Sequence, residues 1–241
     1  MHFLGDSMHR ILIAATAGLL MTSAAVAQDG YDWTGFYAGV LGGYGAGSGD
    51  VMSTLLQPDR TPYKPGGTTA FDASGFLGGL RVGGDFQVDQ FVIGVEGQYA
   101  LTNIESEFNF DSTRPEAMAG GTLTSLASIR AKAGVSFDST LLYGTVGYAT
   151  AHNESWANNV WSVAPAVDVA TGSGQVHGFV VGVGVEQALT DNVSLTANYD
   201  YYSFARGSYD MTSSAYPTGA VLQSEPVISL GTITAGLNFR F

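Results

Sequence analysis

Few residues of this chain could support catalysis. His152 is followed closely by Glu154 and Ser155, and His177 lies 25 residues further on. Nucleophilic hydrolysis needs a serine or aspartate beside a histidine base. No recognised enzyme motif surrounds these residues, so we expect both histidines to be inert and the chain not to be an enzyme.

Metal and cofactor chemistry has little support either. Without cysteine, disulfides and cysteine-based metal or redox sites are excluded. The glycine-rich stretch 42–47 resembles a phosphate loop only superficially, because no helix is expected after it. Glu105, Glu107 and Asp111 could bind Mg²⁺ or Ca²⁺, but a solvated acidic segment is the simpler interpretation. We predict no cofactor and no metal.

The composition excludes further classes. The chain has 241 residues with 9 basic and 21 acidic side chains, and its formal net charge of -12 leaves no basic surface for nucleic acid. Its charged fraction of 12% is about half of that in ordinary soluble domains. Its 45% hydrophobic content argues against disorder.

The N-terminus has the features of an export signal. Arg10 precedes an apolar run over 11–21, and Ala25-Val26-Ala27 forms a cleavage motif before Gln28. We therefore predict a signal peptide over 1–27 and one domain over 28–241. An N-terminal membrane anchor is the alternative, but the apolar run is short for a span. No later stretch holds about 18 consecutive apolar residues, so no transmembrane helix is predicted.

Strict alternation of apolar and polar residues dominates the rest of the chain. Eight runs alternate: 33–45, 76–88, 91–101, 123–137, 141–151, 178–189, 193–202 and 227–241. In 141–151 both faces are apolar, which leaves its orientation open. Acidic tight turns begin at Asp89, Asp138 and near Asp191, and long polar loops are predicted over 46–74, 102–122, 152–174 and 203–226. This pattern predicts an all-β fold, an eight-stranded antiparallel up-and-down transmembrane β-barrel with its tight turns and termini in the periplasm.

The charges of the polar face decide which face points inward. This face carries four cations and four anions: Arg81, Arg130, Lys132 and Arg240 with Asp85, Glu96, Glu186 and Asp200. A narrow lumen needs this balance because each buried ion must find a counter-ion. We predict that the eight residues form an ion network inside the barrel. A soluble ligand-binding barrel, with its apolar face inside, is the alternative, but its outer surface should be denser in charge.

Aromatic residues are concentrated near the strand ends. Trp33, Phe91, Phe137, Phe239 and Phe241 fall at the predicted periplasmic ends, and Tyr44, Phe76, Tyr99, Phe179 and Tyr201 at the opposite ends. Two aromatic girdles at the membrane interfaces are expected from this placement.

Three short segments carry a family resemblance. They are Trp33-Thr34-Gly35-Phe36-Tyr37-Ala38-Gly39, the Gly184-Val185-Glu186 triplet before a Thr-Asp-Asn turn, and the terminal segment 236–241. They resemble the small outer-membrane β-barrel surface antigens of alphaproteobacteria, called the porin family, which are similar to the membrane domain of OmpA. The resemblance implies the outer membrane of a Gram-negative bacterium, with lipid and lipopolysaccharide as neighbours. It also implies that Leu237, Phe239 and Phe241 form the signal for the outer-membrane assembly machinery.

The expected function follows from the narrow interior. Side chains fill the lumen of an eight-stranded barrel, so the buried ions should plug it. We expect a structural, surface-exposed outer-membrane protein that contributes to envelope integrity or surface interactions. A narrow channel for ions or small solutes is the alternative, and an external ligand at the loops stays open.

Overall fold

A computed structural model describes residues 30–57, 59, 61–62, 67–109, 118–158, 169–205, 207–212 and 221–241. The predicted signal peptide lies outside these residues. The described strands are β1 (Gly35–Leu56), β2 (Gly67–Val88), β3 (Phe91–Asn109), β4 (Met118–Phe137), β5 (Thr140–Asn158), β6 (Val169–Ala188), β7 (Val193–Phe204), β8 (Tyr209–Met211) and β9 (Val221–Arg240). Across the described residues, the structure contains no helix that is long and apolar enough to cross a membrane.

The long strands close into a ring. Each of β1 to β6 pairs antiparallel with the next strand, β7 pairs with β9, and β9 pairs with β1. The short β8 pairs with β9 beyond the end of β7. This arrangement confirms the predicted eight-stranded antiparallel barrel.

The two ends of the ring differ. The end that carries the connections 89–90, 138–139 and 189–192, with Gly35 and Arg240, is termed the turn end, and the opposite end is the loop end. Asp89 and Asp138 have φ angles of 54° and 51° in these turns. Aspartate enters this left-handed region more easily than most residues because its short polar side chain can bond locally.

In the half of the barrel near the turn end, apolar side chains point outward. Phe76, Leu80 and Val82 are 67%, 61% and 59% exposed, whereas Arg81 between them is buried. The same alternation orients β5, whose Leu141 faces inward and whose Leu142, next along the strand, faces outward. This orientation excludes the alternative barrel with its apolar face inside at this level.

In the half near the loop end, the alternation is inverted. Outward positions are polar and mostly exposed, as at Asp50, Asp72 and Glu105. Inward positions are apolar and buried, as at Ile104 and Leu230. A strand of 20 residues is about 66 Å long and at a tilt of about 40° rises about 50 Å, twice the height of a ~25 Å lipid-facing band. The inverted half therefore extends well beyond the apolar outer band.

The prediction of long loops over 46–74, 102–122, 152–174 and 203–226 was wrong over most of their described residues. β1 continues to Leu56, β2 starts at Gly67 and β9 starts at Val221. These segments were predicted as loops because their outward residues are Ser, Thr, Asn and acidic residues, which are also common in loops.

The predicted orientation of Leu123 was also wrong. A register shift between Leu123 and Ser125 turns the Leu123 side chain inward, although an outward position was predicted for it.

One aromatic residue was assigned to the wrong place. Trp33 was predicted in the outer girdle at the turn end, but it is fully buried inside the ring. Trp33 lies before β1, so the alternation of side chains along that strand does not determine whether Trp33 points into or out of the barrel. The other nine girdle residues are exposed: Tyr44, Phe76, Phe91, Tyr99, Phe137, Phe179, Tyr201, Phe239 and Phe241. Four of them were predicted near strand ends but lie near the middle of β1, β2, β3 and β6, because these strands continue past them: Tyr44, Phe76, Tyr99 and Phe179.

Candidate functional site: the barrel interior

A first layer of ions lies near the turn end. Lys132 Nζ is 3.0 Å from Asp85 Oδ2 and 3.2 Å from Glu186 Oε2. Arg240 Nη2 is also 3.0 Å from Asp85 Oδ2. Glu186 Oε1 accepts hydrogen bonds from Ser194 Oγ at 2.5 Å and Asn238 Nδ2 at 2.9 Å. Two cations thus face two carboxylates in a layer that is almost closed to solvent.

A second layer of ions lies closer to the loop end. Arg130 bridges Asp200 Oδ1 at 2.8 Å and Glu96 Oε1 at 2.9 Å, and it also donates to Gln98. Tyr37 OH donates to Glu96 Oε2 at 2.9 Å. Arg81 approaches the same Glu96 oxygen only to 3.7 Å.

The structure brings all eight polar-face residues into these two layers, where each is at most 6% exposed. The two layers hold four cations and four anions, so their formal charges cancel. Charged groups at this depth are tolerated only when they are paired and hydrogen-bonded, which the geometry provides for most of them.

An apolar cluster, termed the floor, lies inside the ring at the turn end. Trp33, Val92, Leu141 and Tyr143 form one buried cluster. Trp33 Nε1 donates to Ser136 Oγ at 3.0 Å, and the Arg240 guanidinium lies 5.3 Å from the Trp33 ring centroid. The floor therefore fixes the N-terminal segment to both β4 and β9.

The residues just before Trp33 have altered acidities. The backbone N–H of Thr34 donates to Asp32 Oδ1 at 2.8 Å, and this bond lowers the pKa of Asp32. Partial burial raises the pKa of Tyr31, whose ring packs edge-on against Trp33. Asp32 is thus kept as a carboxylate and Tyr31 as a neutral phenol at the turn end.

An apolar roof covers the ion layers on the loop side. A single cluster joins residues from β2 to β7 and β9: Ala73, Ile104, Leu123, Leu126, Ala149, Ala151, Val176, Val180, Tyr202, Phe204, Ile228 and Leu230. The Tyr202 and Phe204 rings stack at 6.1 Å. Beyond the roof, Ala119, Ala157, Ala170, Met211 and Leu222 form a further apolar cluster. The ion layers thus lie between two apolar clusters.

Inward-facing glycines make room for interior tyrosines. A Cβ atom on Gly83 would lie 2.5 Å from the Tyr37 ring and hydroxyl, and one on Gly184 would lie 2.5 Å from the Tyr143 ring. Tyr143 OH donates to Asn198 Oδ1, so its ring cannot move without losing that bond. Glycine is therefore required where a tyrosine crosses the lumen.

We expect Gly184→Val to lower the midpoint of urea unfolding clearly, because overpacking a filled interior costs about 1–3 kcal/mol. Gly144→Val is the matched control. Gly144 lies on the neighbouring strand with its open side outward, and an added Cβ would meet only one atom at 3.8 Å. Equal losses for the two variants would contradict the proposed packing of Tyr143 against Gly184.

The two histidines weighed for catalysis lie on the outer face. His177 is exposed, and its Nδ1 is 2.7 Å from Tyr148 OH, a phenol rather than a nucleophile. His152 lies on the outward side of β5. Glu105 and Glu107 are exposed on β3, and Asp111 lies outside the described residues. Among the described residues there is no group of three or more possible metal ligands.

Sequence reasoning missed the floor and the roof. Trp33 was predicted in the outer girdle, and the roof residues Ile104 and Phe204 were predicted in loops. The signal was present in the sequence, because Tyr202 and Phe204 continue the inward side of β7 after Asp200. These residues can be recognised as inward-facing only if the inner face is expected to be apolar, and the outer face polar, in the loop-end half.

The three residues of the predicted assembly signal point outward. Leu237, Phe239 and Phe241 are 47%, 54% and 71% exposed at the turn end of β9 and just after it. They leave the interior free for Asn238 and Arg240, which alternate with them.

A family model described as the outer membrane protein beta-barrel domain matches residues 14–241. The chain belongs to this family. Family membership accounts for the closed ring and for the apolar outer band, and the protein is an outer-membrane protein of a Gram-negative bacterium.

Relatives of this beta-barrel family agree with that placement. The chain is 25% identical to a 31 kDa outer-membrane immunogenic protein of Brucella melitensis, with 97% of this chain and all of the relative covered. It is 26% identical to a 22 kDa outer membrane protein of Rhizobium leguminosarum, over 78% of this chain and 72% of the relative. Among solved structures, the outer membrane protein OprG of Pseudomonas aeruginosa matches with a TM-score of 0.52 and 13% identity, covering 88% and 99% of the two chains. That likeness concerns the fold.

Proposed function

We propose that this protein is a structural, non-enzymatic outer-membrane barrel that is closed to solutes. One observation carries the proposal: two charge-neutral ion layers are enclosed between the Trp33 floor and the Tyr202–Phe204 roof. A porin needs a continuous aqueous path, whereas an eight-stranded barrel is just wide enough for side chains to fill. The barrel would thus contribute mechanical integrity to the envelope rather than permeability.

The outer surface suits two environments. The apolar band near the turn end fits lipid, and the polar surface of the loop-end half fits lipopolysaccharide headgroups and the exterior. The loop-end half would therefore present a stiff, surface-exposed extension for external contacts. The turn end would face the periplasm, where the assembly machinery meets Leu237, Phe239 and Phe241.

The proposal predicts no stepwise conductance when the folded mature chain is inserted into planar bilayers. The reason is that ions would have to cross two apolar layers and two layers of paired charges. Conductance in the range of a general porin would overturn the closed barrel and favour the narrow channel.

Variants of the floor and of the roof test which of the two apolar layers blocks the passage of ions. Trp33→Ala opens only the floor, and Tyr202→Ala combined with Phe204→Ala opens only the roof, so we expect neither variant to conduct. Conductance should appear only in the variant with all three changes, because it alone removes side-chain bulk from both apolar layers. Conductance of the floor variant alone would show that the roof is not a seal.

A further inference from the structure

An open cavity of about 310 Å³ lies on the outer face of the loop-end half, where β9, β1 and β2 run side by side. Across these strands, Ser48 is opposite Asp72 and Ser229, and Asp50 is opposite Ala70 and Val227. Paired residues of antiparallel strands point to the same side of a sheet. All six line the cavity, and they alternate along the strands with buried residues such as Val51 and Ile228. The lining therefore consists mainly of two rows of outward side chains.

Two carboxylates give the cavity its charge. Asp50 and Asp72 are exposed and lie diagonally on adjacent strands, about 7 Å apart, so one small group between them can contact both. Neither carboxylate forms an ion pair or a hydrogen bond with another residue that the structure describes. The lysine and arginine side chains of the described residues all lie inside the barrel. A ligand with a positive charge therefore complements this cavity.

The donor set favours an ammonium group over a metal ion. Ca²⁺ takes six to eight oxygen ligands, and among the described residues no group of three or more possible metal ligands is found. An ammonium has three N–H donors and can form charge-assisted hydrogen bonds to both carboxylates. The hydroxyls of Ser48 and Ser229 can donate to oxygens beside that ammonium. The lining thus fits an amino group on a polar, oxygen-rich molecule.

The height of the cavity above the apolar band indicates which molecule can reach it. Tyr44 and Phe76 are exposed, and their rings pack edge-on at 5.3 Å at the boundary of that band. From Tyr44 to Ser48 the strand runs four residues, about 13 Å, which at a tilt of about 40° rises about 10 Å. Aromatic residues at the interface lie at headgroup level, and a phospholipid headgroup layer is only about 5–7 Å thick. A lipid that fills the cavity therefore needs a longer headgroup built of sugars.

We propose that this cavity binds the sugar headgroup of a lipopolysaccharide that carries a free amino group. The ammonium lies between Asp50 and Asp72, Ser48 and Ser229 donate to neighbouring sugar or phosphate oxygens, and the acyl chains pass beside Tyr44. This inference rests on the proposed contact of the loop-end half with lipopolysaccharide, and it names the chemistry that is recognised there.

Native mass spectrometry of the folded mature chain, released from neutral detergent micelles, tests the site. The probes are a lipopolysaccharide with free amino groups and the same preparation after N-acetylation, which removes the ammonium charge but keeps the acyl chains and phosphates. Because each charge-assisted hydrogen bond is worth roughly a factor of ten in affinity, the natural chain should retain the free-amine form at least about tenfold more tightly.

A charge-matched pair of variants locates the site. Asp50→Asn combined with Asp72→Asn should abolish the preference for the free amine. Glu105→Gln combined with Glu154→Gln removes two exposed carboxylates of β3 and β5 outside the cavity and should preserve it. Gel mobility of unheated samples verifies that both variants are folded, as expected for changes at exposed positions.

Three results would overturn the site. They are equal retention of the two lipopolysaccharide forms by the natural chain, an unchanged preference in the Asp50 and Asp72 double variant, and retention that disappears when Ca²⁺ is chelated. The last result would identify a bridging metal ion instead of an ammonium. None of these measurements involves conductance, so the closed barrel and this site can fail separately.

Discussion

Replacing Arg130 by methionine should destabilise the barrel strongly. Arg130 forms the ion pair with Asp200 and shares Glu96 with Arg81. Its loss leaves a buried carboxylate without a counter-ion and gives the interior a net negative charge. Removing one partner of a buried pair costs about 3–5 kcal/mol. We expect a large fall in the urea midpoint and a smaller folded fraction in detergent gels that compare unheated with heated samples.

A double variant separates the effect of the lost charge balance from the effect of the changed side-chain size at position 130. Arg130→Met combined with Asp200→Asn restores neutrality and should recover a large part of the lost stability. Glu105→Gln is the control for losing a carboxylate, since Glu105 is exposed on the outer face. If the double variant were as unstable as the sum of its two single variants, the ion layers would not act as coupled pairs.

Removal of the outward aromatic residues at the C-terminus should have the largest effect in cells. Phe239→Ala combined with Phe241→Ala removes two exposed side chains that contact little of the interior. We propose that the assembly machinery reads them, so the double variant should be nearly absent from outer-membrane fractions. Immunoblots of fractionated cells measure this loss.

Two comparisons separate recognition from stability. Phe137→Ala removes another exposed aromatic residue at the turn end, 56% exposed, and should leave membrane levels close to those of the natural chain. The C-terminal variant should still refold in detergent micelles, where no machinery acts. Normal outer-membrane levels of the variant would exclude Phe239 and Phe241 as an assembly signal.

The part of the fold predicted from sequence is the turn-end half of the barrel, where one alternating pattern runs without a break to the tight turn. From Phe76 to Val88 every second residue is apolar, and Arg81 and Asp85 lie on the opposite side, so the inner face could be inferred. The balance of four cations and four anions gave a second, independent reason for the same orientation. In β5, apolar residues on both sides left the orientation open, and only cross-strand packing of Leu141 and Tyr143 decided it.

The loop-end half could not be inferred in the same way, because its polarity is reversed. Glu105 and Asp72 suggest loops when the outer face is expected to be apolar. Their inward neighbours Ile104 and Ala73 pack into a core that forms only when strands distant in sequence pair. Trp33 was misplaced for a related reason, since its side is set by contacts with Ser136 and Arg240 rather than by alternation.

We propose that the outer face of the barrel lies in lipid near the turn end and in water near the loop end. The chain has no cysteine, so single cysteines can carry a fluorescent label. Labels at Val82→Cys and Ile233→Cys should be quenched by lipids with brominated acyl chains and protected from aqueous iodide. Labels at Asp72→Cys and Glu105→Cys should show the reverse. Quenching by iodide at all four positions would contradict this orientation and, with it, the proposed function.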